Sequence, residues 1–397
     1  MTSLKELVSK RLRSRVTYSP LDVYVDEVFR HKGIINLATG SPSTSLMPLK
    51  ELSDAVREVV DSCSNEAFTY PPPLGIKELR HELKTFAKEL GVNVEGYDLI
   101  IGAGALHIID LIGKVLLDEN DCVIVEEPTY IEAIMPLKFY TNYIDTLPLD
   151  EGSNYSKLNL KNIDRVCSNA KVFYTIPTSQ NPTGVTYDEH TRNDIIRHMK
   201  DRNIVMVEDD TYRSIFRTNY EPIINKCVKY GIRCIYLSSL SKILTPSLRL
   251  AYALIPKELT EFFAEASFLN LPLSTLAMYV VLIMIKKGVL FKRISHLSKI
   301  FESRLKALKD SLTEYLSDRA LWNDDAYGMY LLIRIPGVDT EKLFWRSLKE
   351  GVGFVPGHVF FLKREVRDTL RLSIAFEDEE RIVEGVKRIS KALKDLT

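Results

Sequence analysis

The chain has 397 residues, 45% of them hydrophobic and 27% charged, enough for one large core and a second, smaller one. Its 53 basic and 53 acidic residues cancel, so no whole-chain field draws it to nucleic acid or to an acidic membrane surface. Five scattered cysteines, Cys63, Cys122, Cys167, Cys227 and Cys234, form no C-x-x-C pair, which argues against a disulfide framework or a zinc site and for a reducing cytoplasm.

The opening stretch "MTSLKELVSKRLRSR" lacks the apolar core of a signal peptide. From about Leu49 to Ile285, helical periodicity alternates with short β-branched runs: "DCVIVEE", "KVFYTIP", "NIVMVEDD", "CIYLSS" and "AYALIP". Short apolar runs closed by polar or Gly/Pro punctuation predict buried strands of a mostly parallel sheet in an α/β architecture, sandwiched by helices. The longest apolar run, "LAMYVVLIMI", has half the length that a membrane span requires. Ile294, Leu297, Phe301, Leu305, Leu308 and Leu312 then recur at three- and four-residue spacing, the face of one long helix leaving the first domain. Beyond it, "YGMYLLIRIP", "GVGFVPGHVFF" and "TLRLSIAF" predict strands, followed by a final helix from about Glu379. The expected division is an N-terminal segment at 1–45, a large domain at 46–290 and a small α+β domain at 291–397.

In parallel α/β sheets a ligand crevice lies beyond the carboxyl ends of the strands, so polar residues just after the runs are the candidates. They are "GAG" before a helix near Ala105, Tyr130 after "DCVIVEE", Asn181 in "TSQNPTG", Asp209 and Tyr212 after "NIVMVE", and Ser239 and Lys242 after "CIYL". Singly, each has an ordinary explanation: a solvated lysine, a helix cap, a turn, a packed tyrosine. "GAGALH" has histidine at 107 where a dinucleotide fingerprint needs its third glycine, which disfavours a nicotinamide cofactor. Together the candidates offer an amine, a carboxylate, a phenol, an amide, a flat ring and an anion cradle.

The ordered series "TGSP", "FTYPPPLG", "EEPTY", "SQNPTG", "EDDTY", "SLSK", "TPSLR", "GFVPG" and "LRLS" resembles the pyridoxal 5'-phosphate-dependent aminotransferases of fold type I, class I/II, in the branch that handles aromatic amino acids and 2-aminoadipate. The resemblance implies that Lys242 is the catalytic amine joined to the cofactor, that Asp209 keeps the ring nitrogen protonated, that Asn181 and Tyr212 donate to the ring hydroxyl oxygen, and that Tyr130 stacks on the ring. It implies a phosphate site made of Ser239, Arg249 and the helix start at Gly104, Ala105 and Leu106, where the family usually carries a hydroxyl residue. Tyr70 matches a residue that reaches the neighbouring subunit's phosphate, which implies a homodimer. Arg371, with Gly40 and Asn181, matches the clamp on the substrate α-carboxylate.

Amino-group exchange between an L-amino acid and a 2-oxo acid, with 2-oxoglutarate as acceptor by analogy, is the implied reaction. Alternatives are a 2-aminoadipate aminotransferase, a C–S β-lyase on the same cofactor, and a non-catalytic effector module; about 33 residues ahead of the match are too few for a winged helix. In the 2-aminoadipate enzymes an N-terminal arginine holds the distal carboxylate. Ungapped matching puts Val23 at that place, beside Tyr24, which predicts an apolar pocket wall and large apolar or aromatic donors; Arg15 or Arg30 folding over the site would restore the 2-aminoadipate reading.

Overall fold

A computed structural model of the chain describes residues 4–15, 18–62, 65–161, 163, 166, 170–394 and 396. In chain order its strands are β1 (Ile35–Asn36), β2 (Tyr97–Gly102), β3 (Cys122–Glu127), β4 (Tyr143–Pro148), β5 (Ala170–Thr175), β6 (Val205–Asp209), β7 (Cys234–Ser239), β8 (Ala251–Pro256), β9 (Leu321–Trp322), β10 (Tyr330–Arg334), β11 (Val352–Gly353), β12 (Val355–Pro356) and β13 (Thr369–Ser373). Seven of them form one sheet in the order β2-β8-β7-β6-β5-β3-β4. Its pairings are parallel from β7 to β4, as the apolar runs predict, while β8 is antiparallel to both of its neighbours. Every residue of β3, β7 and β8 is buried, so helices cover both faces of the sheet's middle.

The reversal of β8 positions the site. Because it runs backwards, it starts at the edge where the parallel strands end. Ala251, its first residue, pairs with Ser239 at the end of β7 and with Gly102 at the end of β2. The segments following Gly102 and Ser239 and the one preceding Ala251 therefore meet at one edge.

A second sheet, β12-β13-β10-β9, lies in the C-terminal part, and β1 pairs in parallel with β11, so the N-terminal segment packs with that part as expected. The helix Val289–Leu316 buries Ile294, Leu297, Phe301, Leu305, Leu308 and Leu312, the face read from the spacing. Glu127, at the end of β3, ties the two parts together: it accepts from the backbone N–H of Leu362 (2.5 Å) and Lys363 (2.6 Å) and from Arg364 Nε (3.0 Å).

Strands β2, β4 and β9 and the helix Thr340–Lys349 lie outside the predicted runs. The cysteine argument also needs correction. Cys122 is disulfide-bonded, with Cys227 and Cys234 free and Cys63 and Cys167 outside the described residues, so the scatter of cysteines no longer supports a reducing compartment. Among the described residues no helix is long and apolar enough to cross a membrane.

Candidate active site

A cavity of about 270 Å³ opens at the edge of the large sheet where β3, β5, β6 and β7 end, and it gathers side chains from both parts of the chain. The loop after β7 brings Ser239, Ser241 and Lys242; the turn into β8 brings Arg249; the end of β6 brings Asp209, Thr211 and Tyr212. Asn181 and Tyr130 arrive from the loops after β5 and β3, and Arg371 and Tyr330 from β13 and β10. Lys242 is half-buried, and its Nζ donates to the Gly40 carbonyl at 2.9 Å.

One wall is built to receive an anion. The helix Ala105–Leu116 points its N-terminus at the cavity, and Gly104 caps it with no side-chain hydrogen bond, leaving backbone N–H donors and the positive dipole end unanswered. Arg249, itself in the left-handed region at φ 51°, lies so close that a Cβ on Gly104 would sit 2.4 Å from its Nη2. Only glycine gives this approach at φ +88°. His107 supplies what the dinucleotide fingerprint lacks: its Nδ1 accepts from the Ala103 N–H at 3.1 Å, closing the loop ahead of the helix, and burial holds the imidazole below its ordinary pKa.

The floor carries a buried carboxyl. Asp209 accepts from Tyr174 OH at 2.7 Å and from Thr211 Oγ1 at 2.7 Å, yet burial pushes its pKa above the usual range. No lysine or arginine among the described residues forms an ion pair with it, so a cation held beside it would favour its ionised form.

Arg371, 1% exposed, forms the opposite wall. Its Nη1 donates to Asn181 Oδ1 (3.0 Å) and its Nη2 to the Ala38 carbonyl (2.6 Å), while its guanidinium stacks on the Tyr330 ring at 4.4 Å. Nε, though buried, has no hydrogen-bond partner. Burial lowers the pKa of the guanidinium, and an entering carboxylate would offset that cost. Gly40 is small because Tyr330 occupies the space: a Cβ there would lie 2.0 Å from the phenol oxygen.

Of the expected site residues, Lys242, Asp209, Tyr130, Ala105, Leu106, Asn181, Tyr212, Ser239, Arg249, Gly40 and Arg371 all line this one cavity, and Gly104 backs Arg249. Tyr70 does not line it; it is 90% exposed. Val23 is not a pocket wall. The helix Pro20–Arg30 turns Leu21, Asp22 and Val25 to the cavity and leaves Val23 50% exposed, because residues one, four and five of a helix share a face that residue three does not. Arg30 pairs with Glu27 at 2.8 Å on the surface, and the side chain of Arg15 is outside the described residues. Tyr174, Thr211, Tyr330, Asp22 and Glu132 are site residues that the motifs did not single out. Tyr174 had a signal, a hydroxyl inside the apolar run "VFYT"; the others owe their place to tertiary packing.

The sequence model of the family described as "Aminotransferase class I and II" matches residues 32–389. The chain is 30% identical to an aromatic-amino-acid aminotransferase of Thermococcus litoralis over 370 residues, 91% of this chain and 88% of that protein. Among solved structures, a kynurenine aminotransferase of Pyrococcus horikoshii, in complex with PMP and with kynurenine as substrate, superposes with a TM-score of 0.89 at 28% identity, covering 99% of this chain and 98% of that one. An alpha-aminoadipate aminotransferase of Thermus thermophilus, complexed with N-(5'-phosphopyridoxyl)-L-leucine, superposes with a TM-score of 0.88 at 30% identity, covering 100% and 99%. The chain belongs to the class I and II aminotransferase family.

Proposed function

We propose that this aminotransferase moves the amino group of an L-amino acid with a large apolar or aromatic side chain onto a 2-oxo acid, with pyridoxal 5'-phosphate as cofactor. One observation carries the reading: the Lys242 amine, the buried Asp209 carboxyl and the buried Arg371 with its free Nε share a single cavity. The residues present fit the cofactor. Gly104, the N–H groups of Ala105 and Leu106, Ser239 and Arg249 suit a phosphate, and Asp209 suits a protonated ring nitrogen. When bound, the cofactor draws off the electron pair left at the substrate Cα as its proton departs.

The chain's own residues do the remaining work. Arg371 clamps the α-carboxylate and so orients the Cα–H bond toward Lys242. Lys242 Nζ takes that proton and returns it, a general base and then a general acid. Asn181, whose Oδ1 is committed to Arg371, keeps its amide N–H groups for the ring hydroxyl oxygen, and Tyr212 donates from the neighbouring wall. Tyr130 offers a flat ring, its hydroxyl fixed by Glu132 at 2.5 Å. The apolar donor preference rests on Leu21, Val25, Leu106 and Ile176 in the cavity lining.

A homodimer completes the reading. Tyr70 lies on a face with exposed Phe68, Phe268 and Leu269, brought together by Ser267 Oγ donating to Pro73 O (2.6 Å) and Thr275 Oγ1 to Thr69 O (2.8 Å). A second copy on this face would bury those rings and carry Tyr70 to its partner's phosphate.

The test is direct. Reconstituted protein should transfer nitrogen from phenylalanine, tyrosine or leucine to a 2-oxo acid, and borohydride should fix the cofactor on the peptide containing Lys242. Lys242→Ala should lose both. Fixation on another lysine, or release of ammonia and pyruvate from cysteine conjugates as the dominant reaction, would overturn the assignment.

A further inference from the structure

Two carboxylates line the active-site cavity alongside the apolar residues: Asp22 from the helix Pro20–Arg30 and Glu132 from the helix Ile131–Tyr140. They hydrogen-bond one another, and no lysine or arginine among the described residues forms an ion pair with either. Glu132 is anchored rather than free: Ser19 Oγ donates to its Oε1 at 2.8 Å, and Tyr130 OH to its Oε2 at 2.5 Å. Arg371, 1% exposed and with Nε unpartnered, lines the same cavity, near enough for the Glu132 charge to act on its guanidinium. The cavity thus holds one buried cation with an open donor, suited to one carboxylate, and a fixed pair of acids beside Leu21 and Val25.

We propose that Asp22 and Glu132 determine substrate choice, rejecting a carboxylate at the far end of the side chain and accepting a large apolar side chain that ends in a hydrogen-bond donor, such as a phenol or an aryl amine. The inference rests on the transamination reading. With the α-carboxylate on Arg371, a second carboxylate reaching the acid pair would meet like charge with no compensating cation, whereas an O–H or N–H would find carboxylate oxygens with spare lone pairs. Burial together with Glu132 and Asp26 already pushes the Asp22 carboxyl up to about 6, the mark of acids crowded without a counter-ion. Donor and acceptor use the same cavity in alternate half-reactions, so the rule extends to the 2-oxo acid: a monocarboxylic acceptor replaces the 2-oxoglutarate expected by analogy.

Single-turnover half-reactions of the cofactor-loaded enzyme, followed by the cofactor's absorbance, test this with phenylalanine, tyrosine, 4-aminophenylalanine and 2-aminoadipate. For the reverse half, 2-oxoglutarate is compared with 4-methyl-2-oxopentanoate. In the wild type, tyrosine and 4-aminophenylalanine should exceed 2-aminoadipate in kcat/KM by about tenfold or more, and 2-oxoglutarate should be the poorer acceptor by a similar factor. Asp22→Arg should shift the 2-aminoadipate to phenylalanine ratio by about a hundredfold toward the dicarboxylate, and Glu132→Gln by about tenfold. A wild type that handles 2-aminoadipate as well as phenylalanine, or ratios within about twofold of wild type in both variants, overturns the proposal while leaving transamination intact. If no amino acid converts the cofactor at all, the transamination reading falls, and this proposal with it.

Discussion

Gly104 and Arg249 share a space that admits no methyl group: a Cβ on the glycine would lie 2.4 Å from Arg249 Nη2. Gly104→Ala should therefore push the guanidinium off the anion wall and strain the backbone at φ +88°, costing roughly 1–3 kcal/mol locally. The expected outcome is cofactor affinity weakened by about tenfold or more, read by absorbance titration of the apoprotein. Binding within about twofold of wild type would show that Arg249 does not grip the phosphate.

Asp209→Asn keeps the volume and the contacts with Tyr174 and Thr211 but removes the charge. Cofactor should still bind, while turnover falls by about two orders of magnitude or more, since an amide cannot favour a protonated ring nitrogen. Binding titration and steady-state rates on the same preparation separate the two effects.

Sedimentation of the purified protein should give twice the mass of one chain. Tyr70→Phe, a surface change in the isolated chain, should weaken cofactor binding through loss of one hydroxyl contact, by roughly 1 kcal/mol or about fivefold. A fully active monomer would remove the interface reading.

Asp22 gives a pH dependence with a definite sign. Its folded-state pKa, up to about 6 from the model-peptide 3.8, means that the folded chain holds a proton that the unfolded chain has released. Stability should fall as pH rises from about 4 to about 6 on this account, then stay level. The facing groups are Glu132 and Asp26, both acidic. Asp22→Asn should raise the melting temperature more at pH 7 than at pH 4, read as the difference between variant and wild type in thermal scans.

Much of the architecture was legible because buried parallel strands are written as short continuous apolar runs, and the long helix at Val289–Leu316 as a strict stripe. Strand β4 was not legible: its outer position leaves Tyr143 exposed and places Asp145 and Thr146 inside the run. In the site, the motif residues converge because they all follow strands that end at one edge. The Val23 expectation failed on helix phase. Counting residues backward from a motif fixes a position along the chain, but the face a residue presents depends on where the helix starts, at Pro20, and on how it packs. Asp22 and Glu132, 110 positions apart, could be seen as a pair only after the two helices were brought together.

The reversal of β8 means that Lys242 and Arg249 belong to a single short hairpin loop, closed by the pairing of Ser239 with Ala251. Every other polar group in the cavity comes from a distant part of the chain. The amine and the phosphate-facing arginine therefore move as one jaw: whatever lifts the loop loosens covalent attachment and anion grip together, and whatever seats it restores both. Loading the cofactor should accordingly behave as one latch closing, with no long-lived stage in which the phosphate is held but the amine is out of reach.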